Sequence, residues 1–322
     1  MEKCNSKIKI TLGVACALMY AFMYQFGDMF YKYTYNHSKV ESLEANLLRY
    51  TTSFVIISSH MLADRRSLQE SKANTFYLIL AGILRASGSI LFQTSLKLID
   101  MGTSAVITAT LPPVSIVFAW LLLKEKTKLS ECLLGILSYV GVFMVVWTRL
   151  EAPKPDPHSY AIGTVYGFTS MICFSLYYIT TRKVSGKSDL RRSLFYINFA
   201  GVATLLLTQL ITKTDIVLTQ VPIKFSLLLL TGGVVFFLAL IMEVVSLKFL
   251  NVGVIMIIRN TDFIWAYLYD IIFDGVYPSF VIILGILIIV LSASLIAVDS
   301  IRNIPYVKGF KLLISKICSF RE

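Results

Sequence analysis

The sequence predicts an all-α membrane protein of ten transmembrane helices, arranged as two inverted five-helix repeats. Three observations lead to this fold. The composition is 56% apolar and only 15% charged over 322 residues, and the apolar residues fall in runs of bilayer-spanning length. The two halves of the chain resemble each other at a separation of about 150 residues. Lysine and arginine also concentrate in alternate connections between the apolar runs.

The ten helices are placed by allowing about 20 residues for each crossing. We expect them at residues 8–27, 44–63, 76–97, 101–123, 130–148, 161–181, 193–212, 224–247, 250–273 and 277–298. A proline-rich linker at 149–160, which holds Pro153, Pro155 and Pro157, separates a first repeat at 8–148 from a second at 161–298. A basic tail follows at 299–322, either as an amphipathic helix on the cytoplasmic leaflet or as a disordered segment.

The internal repeat rests on matched residues. The sequence SLK at 95–97 recurs at 246–248, and Gly82 and Gly102 correspond to Gly233 and Gly253, all at a spacing of 151. Because each half has an odd number of crossings, the second copy must lie upside down in the membrane relative to the first. Many transporters follow this inverted-repeat plan.

The positive-inside rule gives the orientation. With both termini in the cytoplasm, the cytoplasmic segments hold twenty of the thirty Lys and Arg residues, and the opposite side holds seven. The net charge of +11 is then a topology signal, and we expect no nucleic-acid partner. The protein is expected to be a multi-pass protein of the plasma membrane or of an endomembrane such as the endoplasmic reticulum or Golgi.

Cysteine and histidine provide no pattern typical of a reactive centre. The five cysteines and three histidines are scattered, and no two cysteines form a CxxC pair. We therefore expect no disulfide, metal site, cofactor or catalytic residue, and no enzymatic activity.

Five ionisable residues inside the expected helices qualify as candidates for function: Arg49, Arg85, Glu243, Arg259 and Asp262. Each costs about 2.5 to 3.5 kcal/mol at the bilayer centre, so each needs a partner or a watery cavity. Together they carry a charge of +1. This excess of guanidinium groups favours an anionic substrate.

The individual roles of these groups stay open. Arg259 and Asp262 lie three apart on one expected helix, where they form either a structural ion pair or part of a substrate or proton site. Asn260 adds a neutral donor and acceptor beside them. Arg85 must contact Glu243, a backbone carbonyl or a substrate anion, and so must Arg49 unless it snorkels to the surface.

Uncharged polar and aromatic residues also lie in the spans. Gln93 and Asn198 either line the same cavity or make hydrogen bonds between helices. Tyr20, Tyr24, Tyr166, Tyr177 and Tyr178 form either a cavity wall or part of the interfacial aromatic belt.

Pro112 and Pro113 are expected to interrupt the fourth helix and to bend it at mid-membrane depth.

Two segments carry a resemblance to a known family. GTSAVITATLPPVSIVFAWLLLKEKTK at 102–128 resembles the end of the fourth helix in EamA-type members of the drug/metabolite transporter superfamily. IIRNTDFIWAYLYDIIF at 257–273 resembles the ninth helix of solute carrier family 35 members of the G type, and LLRY around Arg49 fits the same group. The likeness covers residues 8–299. The chain departs from it at FDGVYP, residues 273–278, where the family has a glutamate-bearing turn, and at Pro113, which doubles a single proline.

This resemblance implies a ten-helix fold, a central cavity and transport of organic anions or nucleotide-linked sugars. Our leading hypothesis is a secondary transporter that moves a small anionic solute across the lipid bilayer by alternating access, with the substrate site formed by Arg49, Arg85, Gln93, Asn198, Glu243, Arg259, Asn260 and Asp262. The alternatives are a membrane scaffold that binds proteins through its basic tail and a membrane-embedded transferase. Association of two copies is left open.

Overall fold

A computed structural model describes residues 2–38, 40–65, 68–99, 107–125, 129–147, 157–212, 222–273 and 279–302, and this part of the chain is helical with no β-strand. The proline-rich linker before residue 157, the segment 274–278 and the basic tail after 302 lie outside these ranges. The helices are α1 (Glu2–His37), α2 (Ser42–Ala63), α3 (Lys72–Leu98), α4 (Leu111–Phe118), α5 (Leu129–Trp147), α6 (Pro157–Ser185), α7 (Leu190–Thr212), α8 (Ile223–Phe249), α9 (Val252–Arg259), α10 (Asp262–Phe273) and α11 (Phe280–Arg302).

The surface of the helix bundle is suited to lipid. Among the described residues, six helices are long and apolar enough to cross a membrane: Ile8–Tyr31, Lys72–Leu98, His158–Ser185, Leu190–Thr212, Ile223–Phe249 and Phe280–Ile301. Shorter apolar helices lie at Ile107–Leu123 and Leu129–Met144. Large apolar side chains such as Ile211 (80% exposed) and Phe280 (78%) point outward, an arrangement that lipid stabilises and water does not.

Helices also occupy the two remaining expected crossings, but these are less uniform. The second, α2, contains Glu44 and Arg49 and buries both side chains. The ninth was expected to be continuous over 250–273 with Arg259 and Asp262 on one helix, and this expectation was wrong. Asn260 and Thr261 form a turn between α9 and α10, so that Arg259 ends one helix and Asp262 begins the next.

The expected bend of the fourth helix also differs in detail. The chain turns at Thr110, between the helical residues 107–109 and α4. Pro112 and Pro113 therefore lie in the first turn of α4 and do not interrupt it. A proline is tolerated there because first-turn N–H groups have no partner within the helix. The helix then continues as a π-helical turn, Ala119–Leu123, and stops at Lys124, which has a left-handed backbone with φ 55°.

Two matched glycines allow close contacts between helices of opposite halves. A Cβ on Gly13 of α1 would lie 3.0 Å from the side chains of Phe249 and Leu250 after α8. A Cβ on Gly163 of α6 would lie 2.7 Å from Leu98 and Ile99 after α3. Each glycine thus lets its helix approach the end of another helix from the opposite half, and the two contacts are related by the spacing seen in the sequence.

The two ends of the bundle are held differently. At the end where α6 and α8 finish, called here the Arg182 end, Arg182 Nε donates to Glu125 Oε1 at 2.9 Å and its Nη1 to the carbonyl of Leu247 at 2.6 Å. Arg191 pairs with Asp64 at the same end. At the opposite end, called the Lys97 end, Lys97 Nζ lies 3.8 Å from Glu41 Oε2, and both side chains are largely exposed.

Candidate functional site

Three arginines meet in the middle of the bundle, each beside a carboxylate. Arg49 of α2 pairs with Asp28 of α1. Arg85 of α3 donates from Nη2 to Glu243 Oε2 of α8 at 3.1 Å. Arg259 donates from Nε to Asp262 Oδ2 at 3.1 Å, across the break between α9 and α10. We call these six residues the arginine cluster.

Aromatic rings connect the three ion pairs. The Phe236 ring lies between two of them, with its centroid 3.8 Å from Arg49 Cζ and 4.5 Å from Arg85 Cζ. The Tyr24 ring lies 5.6 Å from Arg49 Cζ and 5.7 Å from Arg259 Cζ. A guanidinium over an aromatic face is stabilised by the ring quadrupole, more strongly away from water. The rings therefore join the three arginines into one site.

Four of the five tyrosines considered from sequence surround this site. Tyr20 and Tyr178 are buried with their hydroxyls 2.7 Å apart, and the Tyr177 ring lies 5.2 Å from Arg85 Cζ. The Tyr24 ring is in contact with both Arg49 and Arg259. Tyr166 is 37% exposed and belongs to the outer surface. The first four tyrosines lie inside the bundle against the arginine cluster and not in an interfacial aromatic belt.

The cluster keeps unused hydrogen-bonding capacity. Within the described residues, four of its buried polar atoms have no hydrogen-bond partner: Arg49 Nε, Arg85 Nη1, Glu243 Oε1 and Asp262 Oδ1. Glu243 is fully buried, and Arg85 is 3% exposed. A buried donor or acceptor without a partner costs about 1 to 3 kcal/mol, more when charged. Such atoms can be satisfied by a bound solute or by water.

The other expected site residues lie around the cluster with different roles. Asn260 donates to Ser138 Oγ of α5 at 2.7 Å and holds the α9–α10 turn. Asn198 is buried in α7 and donates to its own helix at Leu194, while its Oδ1 has no partner among the described residues. Gln93 accepts from Asn46 Nδ2 at 2.5 Å and lies nearer the Lys97 end.

Asp28 was missed by the sequence reasoning. The expected first helix ended at residue 27, which left Asp28 in a connection. In the structure α1 continues to His37. The signal that could have identified Asp28 is its spacing from two tyrosines. Tyr24, Asp28 and Tyr31 are separated by four and three residues and so share a helix face. In the structure all three contact Arg49. With Asp28 included, three guanidinium groups face three carboxylates, and the expected charge of +1 becomes zero when all are ionised.

Helix α5 contacts both helix breaks. The Tyr139 hydroxyl donates a hydrogen bond to the carbonyl of Ala109, next to the turn at Thr110. The neighbouring Ser138 accepts from Asn260, next to the turn at Thr261. Thr110 and Thr261 are 151 residues apart, the repeat spacing. Interrupted helices in corresponding positions of two halves are typical of transporter binding sites.

A cavity of about 250 Å³ opens at the Lys97 end. It lies between α2, α3 and α7, and most of its lining is polar. The lining residues are Glu41, Ser42, Leu43, Ile90, Gln93, Thr94, Lys97, Thr208 and Thr212. In the part of the chain that the structure describes, no group of three or more His, Cys, Asp or Glu residues is arranged to hold a metal ion.

Comparison with known proteins gives a consistent result. Residues 11–147 match the EamA-like transporter family. Solute carrier family 35 member G1 of Homo sapiens is 21% identical over 87% of this chain and 77% of its own length, and the Mus musculus protein of that name is 20% identical over 88% and 77%. A crystal structure with 14% identity covers 91% of this chain and 98% of its own, with a TM-score of 0.75, and shows a shared fold. The resemblance stated from sequence is confirmed.

Proposed function

From an EamA-like unit at 11–147 and a likeness to solute carrier family 35 member G1 along most of the chain, we propose that this integral membrane protein transports a small organic anion by alternating access. The coarser statement, a membrane transporter of small solutes, follows from the family likeness. The charge of the solute and the mechanism are inferred from the arginine cluster.

The observation that carries the proposal is the convergence of three guanidinium groups on shared aromatic rings. Arg49 and Arg85 can be no further apart than their two distances to Phe236 added together, so one small solute can contact both. Guanidinium groups bind carboxylate and phosphate oxygens through two parallel hydrogen bonds. Arg49 Nε and Arg85 Nη1, which have no partner among the described residues, are available for such contacts.

While no solute is bound, the carboxylates of the cluster pair with the arginines in its place. A bare arginine in a dry site is strongly unfavourable, and an ion pair removes much of that cost. An incoming anion then replaces Asp28, Glu243 or Asp262 on its arginine. The exchange keeps each guanidinium paired in both states, and the displaced carboxylate then needs a proton or another hydrogen-bond donor.

The arrangement of ten crossings as two inverted repeats is part of the proposal. It is supported by the paired contacts of Gly13 and Gly163 and by the turns at Thr110 and Thr261. In this plan the two halves rock against each other around a central site. The arginine cluster draws residues from both halves and lies where such movement would alternate its access.

Flux through proteoliposomes tests the site. Purified protein would be assayed against a panel of labelled organic anions, with neutral and cationic solutes alongside. We expect uptake of an anion, and a loss of tenfold or more in Arg85→Gln and Arg259→Gln, because each removes a charge-assisted hydrogen bond worth about 1.5 to 3 kcal/mol. Arg259→Lys, which keeps the charge, should retain more activity than Arg259→Gln.

Lys183→Gln is the matched control, since Lys183 also contacts an aromatic ring but lies at the Arg182 end, where its Nζ donates to Tyr77 at 2.7 Å. It should transport normally. Failure of every anion to move, or normal flux in both arginine variants, would refute the assignment of the site.

A further inference from the structure

The polar residues between the cavity at the Lys97 end and the arginine cluster form a continuous line. On α3, Arg85, Ser89, Gln93 and Lys97 follow one another at intervals of four residues and form a polar line that winds by about 120° around the helix. At 1.5 Å per residue this line extends about 18 Å, roughly half the bilayer core. Its inner member belongs to the cluster, and its outer members, Gln93 and Lys97, line the cavity.

A second polar line lies on α2. Ser42, Asn46 and Tyr50 are spaced by four residues, and Arg49 adjoins them. Asn46 donates to the Ser42 carbonyl at 3.0 Å and to Gln93 of α3 at 2.5 Å. The two lines therefore meet at the Asn46–Gln93 hydrogen bond. Gln93 lines the cavity, and Asn46 lies three residues before Arg49 on α2.

The mouth of the cavity carries a weakly held cation. Lys97 is 3.8 Å from Glu41, and their side chains are 58% and 44% exposed. An ion pair of this length and exposure contributes little, so the ammonium group can exchange Glu41 for another anion at low cost. The hydroxyls of Thr94 and Thr208 border the same space and supply uncharged polar contacts.

The two ends of the bundle differ in how open they are. At the Arg182 end, Arg182 Nη1 and Nη2 also reach the Lys248 carbonyl at 3.2 Å and Asn251 at 3.4 Å, and Glu125 Oε2 accepts from the backbone N–H of Val252 at 3.2 Å. The Glu125 contact joins the first half of the chain to the second there. At the Lys97 end, the open cavity reaches inward along α3 as far as Ile90.

We propose that the cavity bounded by Glu41, Gln93, Thr94, Lys97 and Thr208 is a vestibule that captures a small organic anion on Lys97 and passes it to Arg85 and Arg49 when the Asn46–Gln93 hydrogen bond opens. This inference rests on the proposed transport function and adds an outer binding site to it. Lys97 attracts the anion, and the two amides control its passage inward.

The test measures electrostatics in the vestibule without measuring transport. Thr94→Cys is placed in the full chain in proteoliposomes and treated from the Lys97 side with two membrane-impermeant methanethiosulfonate reagents, one carrying a sulfonate and the other a trimethylammonium group. Unsubstituted protein gives the background from native cysteines. Thr231→Cys is the matched control: both threonines donate to the carbonyl four residues back at 2.9 Å, but Thr231 lies on an exposed face of α8 among apolar residues.

We expect the thiol of Thr94→Cys to react with both reagents and the thiol of Thr231→Cys with neither. Adding Lys97→Gln to the first variant should slow the anionic reagent several-fold relative to the cationic one. Lys224→Gln removes a lysine that starts α8 at the same end but does not line the cavity, and it should leave the ratio unchanged. An unreactive thiol in Thr94→Cys, or a reagent ratio that Lys97→Gln does not alter, would overturn the proposal.

Flux measurements separate this proposal from the transport function. If the solute is captured on Lys97, Lys97→Gln raises the KM for uptake from that side with little change in kcat, as expected when a binding contact outside the central site is lost. If no anion is transported at all, the labelling result still decides whether the vestibule exists and attracts anions.

Discussion

Arg85 and Glu243 form the most deeply buried ion pair of the cluster, with side chains 3% and 1% exposed. Replacing a buried pair by apolar groups can be nearly neutral, but removing one partner leaves an uncompensated charge. The surrounding rings of Phe236 and Tyr177 reduce this cost without removing it. The stability of the bundle should therefore depend on each carboxylate as strongly as on each arginine.

We predict that Glu243→Gln lowers the free energy of unfolding by about 3 kcal/mol, because Arg85 stays buried and charged without its partner. The measurement is the thermal midpoint of the purified protein in detergent. Glu41→Gln is the control, since its partner Lys97 is exposed and an exposed pair contributes about 0 to 1 kcal/mol. The double variant Arg85→Gln/Glu243→Gln should recover part of the loss, and equal midpoints for Glu243→Gln and the wild type would contradict the argument.

At this scale the sequence predicted which charged residues lie within the helix bundle better than how they pair. The cost of charge in lipid is local, so Arg49, Arg85, Glu243, Arg259 and Asp262 could be selected from hydropathy alone. Pairing depends on how helices pack, and for Arg85 three kinds of partner stayed open until the structure placed Glu243 beside it. Asp28 was lost because helix ends are poorly determined by sequence.

Helix packing in this protein depends on glycines at which two helices nearly touch. A Cβ on Gly82 of α3 would lie 2.4 Å from the Ile197 carbonyl oxygen of α7 and 2.7 Å from Ala200 Cβ. The nearest atom belongs to a helix backbone, which cannot move aside as a side chain can. Small residues at such contacts are typical of helix association in membranes.

We predict that Gly82→Ala separates α3 from α7 and destabilises the protein by about 1 to 3 kcal/mol, the usual cost of overpacking. Thermal stability and the yield of monodisperse protein would measure the loss. Gly186→Ala is the control, because nothing lies within 4 Å of its added methyl group. Equal stability of the two variants would show that the α3–α7 contact is softer than the structure implies.

The helices themselves were predictable wherever a long apolar segment dominates the sequence, as in α8 or α11. The turn at Asn260 and Thr261 was not, because it follows an unbroken apolar run, 252–258, that is equally compatible with a continuous helix. The hydrogen bond from Asn260 to Ser138 holds the turn in place, and that partner is 122 residues away in the sequence. A long-range contact of this kind leaves no local pattern.

The whole molecule has two ends with different chemistry. Connections at the Arg182 end join the halves through charged side chains, and from the positive-inside rule we propose that this end faces the cytoplasm. The Lys97 end holds the vestibule. Tags placed in proteoliposome or cell experiments can test this orientation without knowledge of the solute.

We predict that an epitope inserted in the linker near Pro155 is accessible from the side opposite to epitopes at both termini, because the proposed inverted-repeat plan places five crossings between the linker and each terminus. Antibody binding before and after membrane permeabilisation measures this. A tag inserted after Ser67, between α2 and α3, should behave like the termini and serves as the control. Linker and termini on the same side would exclude two inverted five-helix halves.

Protonation should loosen the Arg182 end. Glu70, in the connection before α3, accepts from Ser188 Oγ at 2.9 Å, from Asn74 Nδ2 at 3.0 Å and from Arg192 Nη1 at 3.4 Å. Burial raises the pKa of Glu70, but these hydrogen bonds and one from the backbone N–H of Ser71 outweigh it and lower the pKa below its ordinary value. Because the pKa is lower in the folded protein than in the unfolded one, the stabilisation is present above the unfolded pKa and is lost as pH falls through the folded pKa.

We therefore predict that Glu70→Gln destabilises the protein at neutral pH and that its thermal midpoint converges with that of the wild type as the pH falls through the acidic range. The glutamine side chain does not titrate, so the stability of the variant should lack this part of the pH dependence. Arg192→Gln removes one of the groups that lower the Glu70 pKa and should produce a weaker change in the same direction. A constant difference between Glu70→Gln and the wild type at every pH would mean that Glu70 acts only as a neutral hydrogen-bond acceptor. Convergence would mean that acid on the Arg182 side weakens the contact between the two halves, which favours opening of the transporter on that side.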